Sequence, residues 1–397
     1  MSSALRNREF RALWFAEAQS VVGDQLTTVA LTITVYSRTN SALWAAVTYA
    51  LTFLPALAGG LGLAQLADRY PRRAVLVATA VAQAVLVGIM AIPGMPLFAL
   101  CALVVVARLA GAPANAAQNA LTREVFTDDE LYLRSQDVRG MTTNTAMLLG
   151  LAGGGVLVTW AGPSWALAVD AVTFVVSAVL VRRWVAWRPA AGNGQDTWFS
   201  AIRWVAGQRR LRVLLGLSWL VGLAVIPEGL VAPLADQIGA PDESIGWLLA
   251  ADPLGFIVGV FLLSHYVSAE TRKRVLGPLA VAPAAILIAF AAKPNLVLAL
   301  VALALAGAAG AYIVTVGATF ITWVPNELRG GAGGLYRTGL RVAQGLGVAI
   351  GGAVAEWVGS ATLAIALAGI AGVVLGLPVA FTWAQVRKAN RDPASLA

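Results

Sequence analysis

The first apolar segment of this 397-residue chain carries four polar side chains at helical spacing. Glu17, Ser20, Asp24 and Thr28 are separated by three, four and four residues, so an α-helix would place them on one face. A carboxyl group inside a bilayer is costly unless it faces water or a partner, and burial favours its neutral form. We therefore predict Asp24 as a proton-coupling residue, with Glu17 as a relay nearer the cytoplasmic end of the helix.

Other ionisable residues also lie inside apolar segments. Arg108 is close to the middle of its segment, where it could act on a nearby carboxyl group, bind an anionic group, or pair with Asp24 or Asp170. Proline adjoins two further carboxyl groups, in Pro227-Glu228 and Asp252-Pro253, and it can bend a helix there. The candidate residues of a substrate cavity are Ser20, Thr28, Asn115, Asp170, Trp219, Glu228 and Asp252.

The amino-acid composition indicates the environment in which these residues lie. Hydrophobic side chains make up 59% of the chain and charged ones only 12%, against about 45–50% and about 25% in soluble domains. This excludes an ordinary soluble enzyme and a disordered chain, and it favours a polytopic helical membrane protein. The sequence shows no nucleophile–base pair, nucleotide-binding loop or metal-ligand cluster, so we expect no enzymatic activity, no cofactor and no metal.

Twelve apolar segments, bounded by Gly, Pro or charged residues, have the length of membrane spans. We predict them at 10–36, 44–67, 74–92, 97–118, 138–160, 165–185, 212–234, 244–266, 275–291, 295–318, 336–357 and 361–384.

The positions of the basic residues predict the orientation. With the N-terminus placed inside, 25 of the 28 Lys and Arg residues fall in inner loops or at inner span ends, as expected for cytoplasmic loops. We therefore place both termini in the cytoplasm and the chain in the cell membrane. The net charge of +8 is then explained by the basic residues of the cytoplasmic loops, and we expect no nucleic-acid partner. The longest connection, 186–211, is expected to hold an interfacial amphipathic helix over 197–212.

An offset of 197 residues relates the two halves of the chain. Gly150 and Gly154 fall on Gly347 and Gly351, in segments whose G-x-x-x-G spacing permits close helix packing. Six spans per half give both halves the same orientation. The predicted fold is an all-α polytopic membrane protein with twelve transmembrane helices, in two six-helix bundles related by a pseudo-two-fold axis along the membrane normal. The predicted domains are an N-terminal bundle over 1–185, a cytoplasmic linker over 186–211 and a C-terminal bundle over 212–397.

The connection after the second segment carries a recognisable motif. Gly62-Leu-Ala-Gln-Leu-Ala-Asp68-Arg69-Tyr-Pro-Arg72-Arg73 resembles the G-x-L-x-D-R-x-G-R-R signature of the major facilitator superfamily, with proline in place of the second glycine. The resemblance implies a conformational latch between the halves on the inner side, in which Asp68 faces the start of span eleven. The latch residues are then Gly62, Asp68, Arg69, Arg72, Arg73, Arg337 and Arg341.

The first segment, from Phe10 to Leu31, resembles the first helix of drug and metabolite exporters of that superfamily, a group that includes macrolide and siderophore exporters. Arg108 is similar to the fourth-span arginine of proton-driven members. The resemblance implies an antiporter that exports a small amphipathic or lipophilic compound by alternating access, coupled to proton influx, and we expect a monomer. Two alternatives stay open, namely a proton-coupled importer of a nutrient or anion, and a transporter that moves (lyso)lipid between leaflets.

Overall fold

The computed structural model describes residues 5–53, 69–126, 128–189, 198–325 and 328–389. Within these ranges the chain is helical and contains no strand, which confirms the predicted all-helical class. The α-helices are α1 Arg8–Thr39, α2 Ala42–Ala50, α3 Arg72–Met90, α4 Leu97–Val125, α5 Asp129–Ala161, α6 Pro163–Trp184, α7 Trp198–Gly207, α8 Arg209–Trp219, α9 Val221–Ala224, α10 Ile226–Gly229, α11 Val231–Gln237, α12 Ser244–Tyr266, α13 Ala269–Leu287, α14 Leu296–Gly310, α15 Tyr312–Thr322, α16 Arg329–Val358 and α17 Ala361–Ala389. Short 3₁₀ turns follow α2 at Leu51–Phe53 and α13 at Ile288–Ala292.

Nine segments of the described chain are apolar and long enough to cross a membrane. They are Arg72–Met90, Leu97–Val125, Glu130–Ala161, Pro163–Trp184, Arg209–Gly229, Ser244–Tyr266, Glu270–Ala292, Leu296–Thr322 and Ala361–Lys388. Helices α1 and α16 are not among the nine, although their 32 and 30 residues suffice to span a bilayer. Their polar residues, which include Asp24 and Arg341, lower the hydropathy of both helices.

Local sequence explains several helix boundaries. The side chains of Asp128, Ser268 and Asn295 accept hydrogen bonds from backbone N–H groups three residues later, at 3.0, 3.3 and 3.0 Å, and so begin α5, α13 and α14. Gly162, with φ of 90°, ends α5, and the next residue, Pro163, begins α6.

The seventh predicted span is interrupted. Between residues 209 and 237 the chain forms four short helices, α8 to α11, with breaks at Leu220, Val225 and Leu230. Pro227 and Pro233 lack an amide hydrogen, so each removes one helical hydrogen bond here. The amphipathic helix expected over 197–212 corresponds to α7 alone, because the chain leaves helical geometry at Gln208 before α8 begins.

The described chain divides into two compact units. The first contains α1, α3, α4, α5 and α6, together with residues 51–53 and 245–247. Two of its apolar clusters pack along α1, one around Leu13, Ala16 and Leu121, the other around Leu26, Leu31 and Phe174. Residues 17–24 of α1 lie between these clusters along the helix, so the polar residues of α1 interrupt the apolar core of this unit.

The second unit contains α2, α7 to α11, the rest of α12, and α13 to α17. Its main apolar cluster joins α8, α15, α16 and α17, and includes the fully buried Phe320 and the nearly buried Trp383. A side chain at Gly347 would collide with the backbone of Gly222, and one at Gly352 with Ala46. The glycines of α16 therefore let α9 and α2 pack closely against it.

Candidate functional site

Asp24 and Arg108 form an ion pair in the interior of the first unit. An Nη1 atom of Arg108 on α4 lies 2.7 Å from Oδ1 of Asp24 on α1. The side chains are 19% and 27% exposed, so the pair is only partly screened by solvent. Of the two partners that the sequence leaves open for Arg108, Asp24 is the one in direct contact.

Asp170 on α6 lies beside this pair and is fully buried. The hydroxyl of Thr27 donates to its Oδ2 at 2.5 Å, and the hydroxyl of Thr173 lies 3.2 Å from Oδ1. Gly23 makes the approach of α6 possible, because a Cβ atom there would collide with the Asp170 carboxylate. Asp170 is therefore held against the backbone of α1, one residue from Asp24.

The three ionisable groups line one small cleft of the first unit. Its polar wall also includes Thr27 and Gln83, and the remaining lining is mostly aliphatic and aromatic. The apolar lining residues are Leu31, Val87, Met90, Val104, Ala107 and Phe174. The cleft therefore joins a charged centre to an apolar wall.

Glu17 makes a second ion pair, about 10 Å away along α1. Arg139 on α5 contacts both carboxylate oxygens of Glu17 at 2.7 Å, and a further guanidinium nitrogen donates to Asn119 at 2.9 Å. The relay role predicted for Glu17 stays a prediction, and its carboxylate is engaged by Arg139, one of the basic residues that the sequence assigns to the inner side. The sequence contained one signal for this pair, because Glu17 and Arg139 each lie about three turns from the start of their helices and so at a similar depth in the unit.

The other predicted cavity residues of the first unit differ in environment. Ser20 is half-buried on α1. Thr28 is buried and donates to the carbonyl of Asp24 at 2.9 Å, so its hydroxyl satisfies the helix backbone. Asn115 is exposed on α4. The predicted packing glycines also lie at helix contacts, since side chains at Gly150 and Gly154 would meet residues 22, 25 and 29 of α1.

The second unit has its own group of intramembrane ionisable residues. The hydroxyl of Tyr49 on α2 donates to the carboxylate of Glu228 on α10. Asp252 on α12 and Arg341 on α16 are near enough to act on this pair electrostatically. Tyr49 was missed in the sequence, because its position at the end of a short apolar helix carries no polar pattern.

Trp219 and the remaining packing glycines also lie in the second unit. Trp219 is half exposed at the end of α8, and its indole nitrogen would lie 2.8 Å from a Cβ atom at Gly339. A side chain at Gly351 would collide with Ile226 of α10. With Gly347, this places both glycines predicted in α16 against the broken segment α8 to α11.

The motif after the second segment is described only in part. Gly62 and Asp68 lie outside the described residues, and so does the contact predicted for Asp68. Arg69 is exposed. Arg72 pairs with Glu124, and a guanidinium nitrogen of Arg73 donates to the carbonyl of Arg182. Arg337 and Arg341 are exposed on α16.

Arg72 belongs to a wider network at the end of the first unit where α1 begins. Arg188 contacts both carboxylate oxygens of Glu9, at 2.5 and 3.0 Å, and lies 3.7 Å from Glu124. The hydrogen bonds to the Glu9 carboxylate raise the pKa of Arg188 against an opposing effect of partial burial. Arg188 is a cation at physiological pH, as arginines are in general, and the network fastens the segment after α6 to α1 and α4.

The helices and the charged cleft define the class of this protein as a multi-pass membrane protein with buried ionisable groups. Residues 2–396 match the model of a family described as "Transmembrane secretion effector". The chain belongs to this family of major facilitator superfamily transporters and is not an enzyme.

The curated relatives that match the chain include lysophospholipid transporters. LplT of Yersinia enterocolitica is 28% identical over 206 residues, which are 48% of this chain and 49% of the relative. LplT of Yersinia pseudotuberculosis is 28% identical over 203 residues, or 48% of each chain. The chain thus matches about half the length of these relatives.

Solved transporter structures share the fold. The nucleoside transporter NupG matches 95% of this chain and 99% of its own, with a TM-score of 0.75 and 14% identity. A bacterial homologue of the human lysosomal transporter Spinster matches 94% and 95%, with a TM-score of 0.72 and 16% identity. At these identities the likeness shows the fold alone.

Proposed function

We propose that this protein is a secondary active transporter that exports a small amphipathic or lipophilic compound by alternating access, coupled to proton influx. The observation that carries the proposal is the centre formed by Asp24, Arg108 and Asp170 in a cleft with an apolar wall. An uncompensated charge is costly at membrane depth. One proton changes the net charge of this centre. Protonation can therefore shift the protein from one conformational state to another.

The proposed architecture extends the nine described spans to twelve. Helices α1 and α16 supply two further spans, and the segment that begins with α2 supplies the third. The proposal includes two six-helix bundles, with the linker 186–211 between them and both termini in the cytoplasm. It also includes a monomer in the cell membrane.

Lysophospholipid is the second candidate substrate, and a specific observation favours it. The relatives that match half of the chain are lysophospholipid transporters. A phosphodiester head group with one acyl chain also fits the chemistry of the lining residues, because Arg108 offers a guanidinium and six of the other lining residues are apolar. This substrate would be moved between leaflets.

A two-stage experiment tests the proposal. Purified protein is first screened for thermal stabilisation by macrolides, siderophores, lysophosphatidylethanolamine and sugars. Compounds that stabilise are then assayed in proteoliposomes with and without a pH gradient. We expect transport that depends on the gradient, and the stabilising compound distinguishes a drug-like substrate from a lysolipid.

Asp24→Asn is the informative variant, because it removes the charge that pairs with Arg108. We expect gradient-driven transport to fall to the level of protein-free liposomes. Asp242→Asn is the matched control, since Asp242 is exposed outside the predicted spans, and it should transport as the wild type does. Wild-type rate and wild-type pH dependence in Asp24→Asn would remove Asp24 from the proposed coupling, and wild-type transport that does not respond to the pH gradient would overturn the coupling itself.

A further inference from the structure

The charges at the centre of the first unit do not balance. Two carboxyl groups, on Asp24 and Asp170, lie near one guanidinium, that of Arg108. Arg108 is in direct contact with Asp24 at 2.7 Å. Among the described residues Asp170 makes no ion pair, and its side-chain partners are the hydroxyls of Thr27 and Thr173. One carboxyl group in this centre is thus in excess.

The surroundings of Asp170 suit a group that changes its protonation state. Asp170 is fully buried, whereas the Asp24 side chain is 27% exposed. Burial without a cationic partner favours the neutral acid. The Thr27 hydroxyl can donate to the carboxylate or accept from the acid, since a hydroxyl has both capacities. Thr27 can therefore bind Asp170 in either protonation state without leaving its place on α1.

The position of Asp170 also connects it to the rest of the centre. Because a side chain at Gly23 would collide with it, the Asp170 carboxyl group lies directly against α1, next to Asp24. The charged groups that act on it are Asp24 from α1 and Arg108 from α4. The contacts of α3 and α5 with α6 add no charged group at Asp170 within the described chain, and Gln83 is the polar residue that α3 contributes to the cleft.

We infer that Asp170 carries the transported proton, that Thr27 is its positioning residue, and that Asp24 stays ionised in its pair with Arg108. This inference rests on the proposed proton-coupled transport and names the residue that performs it. The proton binds to a carboxylate oxygen of Asp170 and forms a carboxylic acid that donates to the Thr27 hydroxyl. On release the proton leaves for water, and the Thr27 hydroxyl donates to the carboxylate again.

Infrared spectroscopy tests the inference without a substrate. Purified protein is titrated with acid, and the carbonyl stretch of a protonated, buried carboxyl group is followed. Glu228 and Asp252 are further carboxyl groups in apolar segments, so the double variant Glu228→Gln, Asp252→Asn is the background for every sample. In this background we expect the band to be absent once Asp170→Asn is added and retained once Asp24→Asn is added. A band that persists with Asp170→Asn, or one that disappears only with Asp24→Asn, would overturn the assignment.

Thr27 provides a test that survives if Asp170→Asn fails to fold. Thr27→Val keeps the shape of the side chain but removes the hydroxyl that donates to the ionised carboxylate. We expect the midpoint of the infrared titration to move to higher pH by about one unit, a tenfold change in proton affinity. Thr27→Ser should restore the wild-type midpoint. An unchanged midpoint in Thr27→Val, or a shift that Thr27→Ser does not reverse, contradicts the role of the hydroxyl.

Transport assays separate this inference from the proposed function. If wild-type proteoliposomes accumulate no compound under a pH gradient, the proposed function fails and the infrared result still stands. If the wild type is coupled to the gradient, Asp170→Asn should transport at a rate that no longer varies with pH. A wild-type pH profile in Asp170→Asn would refute the inference while the proposed function survives.

Discussion

The ion pair between Glu17 and Arg139 leads to the most quantitative prediction. The Arg139 side chain is 9% exposed and that of Glu17 is 21% exposed, and two guanidinium nitrogens contact the carboxylate at 2.7 Å. Removing one partner of a buried pair costs about 3–5 kcal/mol, because the other charge is left uncompensated. Since Glu17 retains some solvent contact, we expect Arg139→Met to lower the free energy of unfolding by about 3 kcal/mol.

The same helix offers a matched control. Arg134 pairs with Glu130 one turn away, but these side chains are 51% and 71% exposed. Pairs of this kind contribute about 0.5 kcal/mol or less, so Arg134→Met should be nearly neutral. Unfolding of purified protein in mixed micelles, followed by helical circular dichroism, measures both variants.

A double variant isolates the interaction itself. Glu17→Met combined with Arg139→Met removes both charges, and such replacements are often neutral when the new side chains pack well. We expect the double variant to be more stable than either single one, with a coupling energy of at least about 2 kcal/mol. Equal stability of Arg139→Met and Arg134→Met would refute a strong ion pair between Glu17 and Arg139. Additive effects of Glu17→Met and Arg139→Met would refute it as well.

Two further predictions concern packing and a buried donor. Gly150→Val should destabilise the protein by about 1–3 kcal/mol, because its Cβ would lie 2.6 Å from the carbonyl oxygen of Val22. Gly153→Val is the control and should change stability far less, since no neighbouring atom lies within 4 Å of a Cβ at that position. Equal effects of the two variants in the same unfolding assay would contradict the close contact of α5 with α1. Tyr49→Phe should cost about 1.5–3 kcal/mol, since it removes the hydroxyl that donates to the Glu228 carboxylate. Tyr70→Phe, at an exposed tyrosine, is its control, and thermal stability indistinguishable between these two variants would count against the hydrogen bond.

Helix boundaries were predictable where the sequence contains strong local signals. The span predicted at 244–266 coincides with α12, Ser244–Tyr266, and the helices α3 and α4 end and begin on either side of residues 93–96, which separate two predicted spans. The breaks at Leu220 and Val225 were not predictable, because both residues are ordinary helix formers. The neighbouring residues Gly222 and Ile226 pack against the glycines of α16, a tertiary contact that local sequence does not reveal.

The candidate site was predictable as a set of residues but not as a set of contacts. Scarcity of charge identifies Asp24, Arg108 and Asp170, because little else explains ionisable groups in apolar segments. Their pairing depends on side-chain direction, since Asp24 and Thr27 lie only about 60° apart around α1 yet contact different helices. Glu17 and Arg139 are 122 positions apart in the sequence. Helical periodicity relates residues within one helix, so it could not predict this pair.

In the arginine network at the start of the first unit, Arg72 has one role during synthesis and another in the folded protein. Arg72 precedes its partner Glu124 by 52 residues, and Arg188 follows its partner Glu9 by 179. When the ribosome has just produced Arg72, its partner does not yet exist, so its full charge is available to orient the neighbouring helix. Folding then neutralises it. The finished protein therefore presents fewer free cations than its 28 basic residues suggest, and Arg72 serves biosynthesis first and rigidity afterwards.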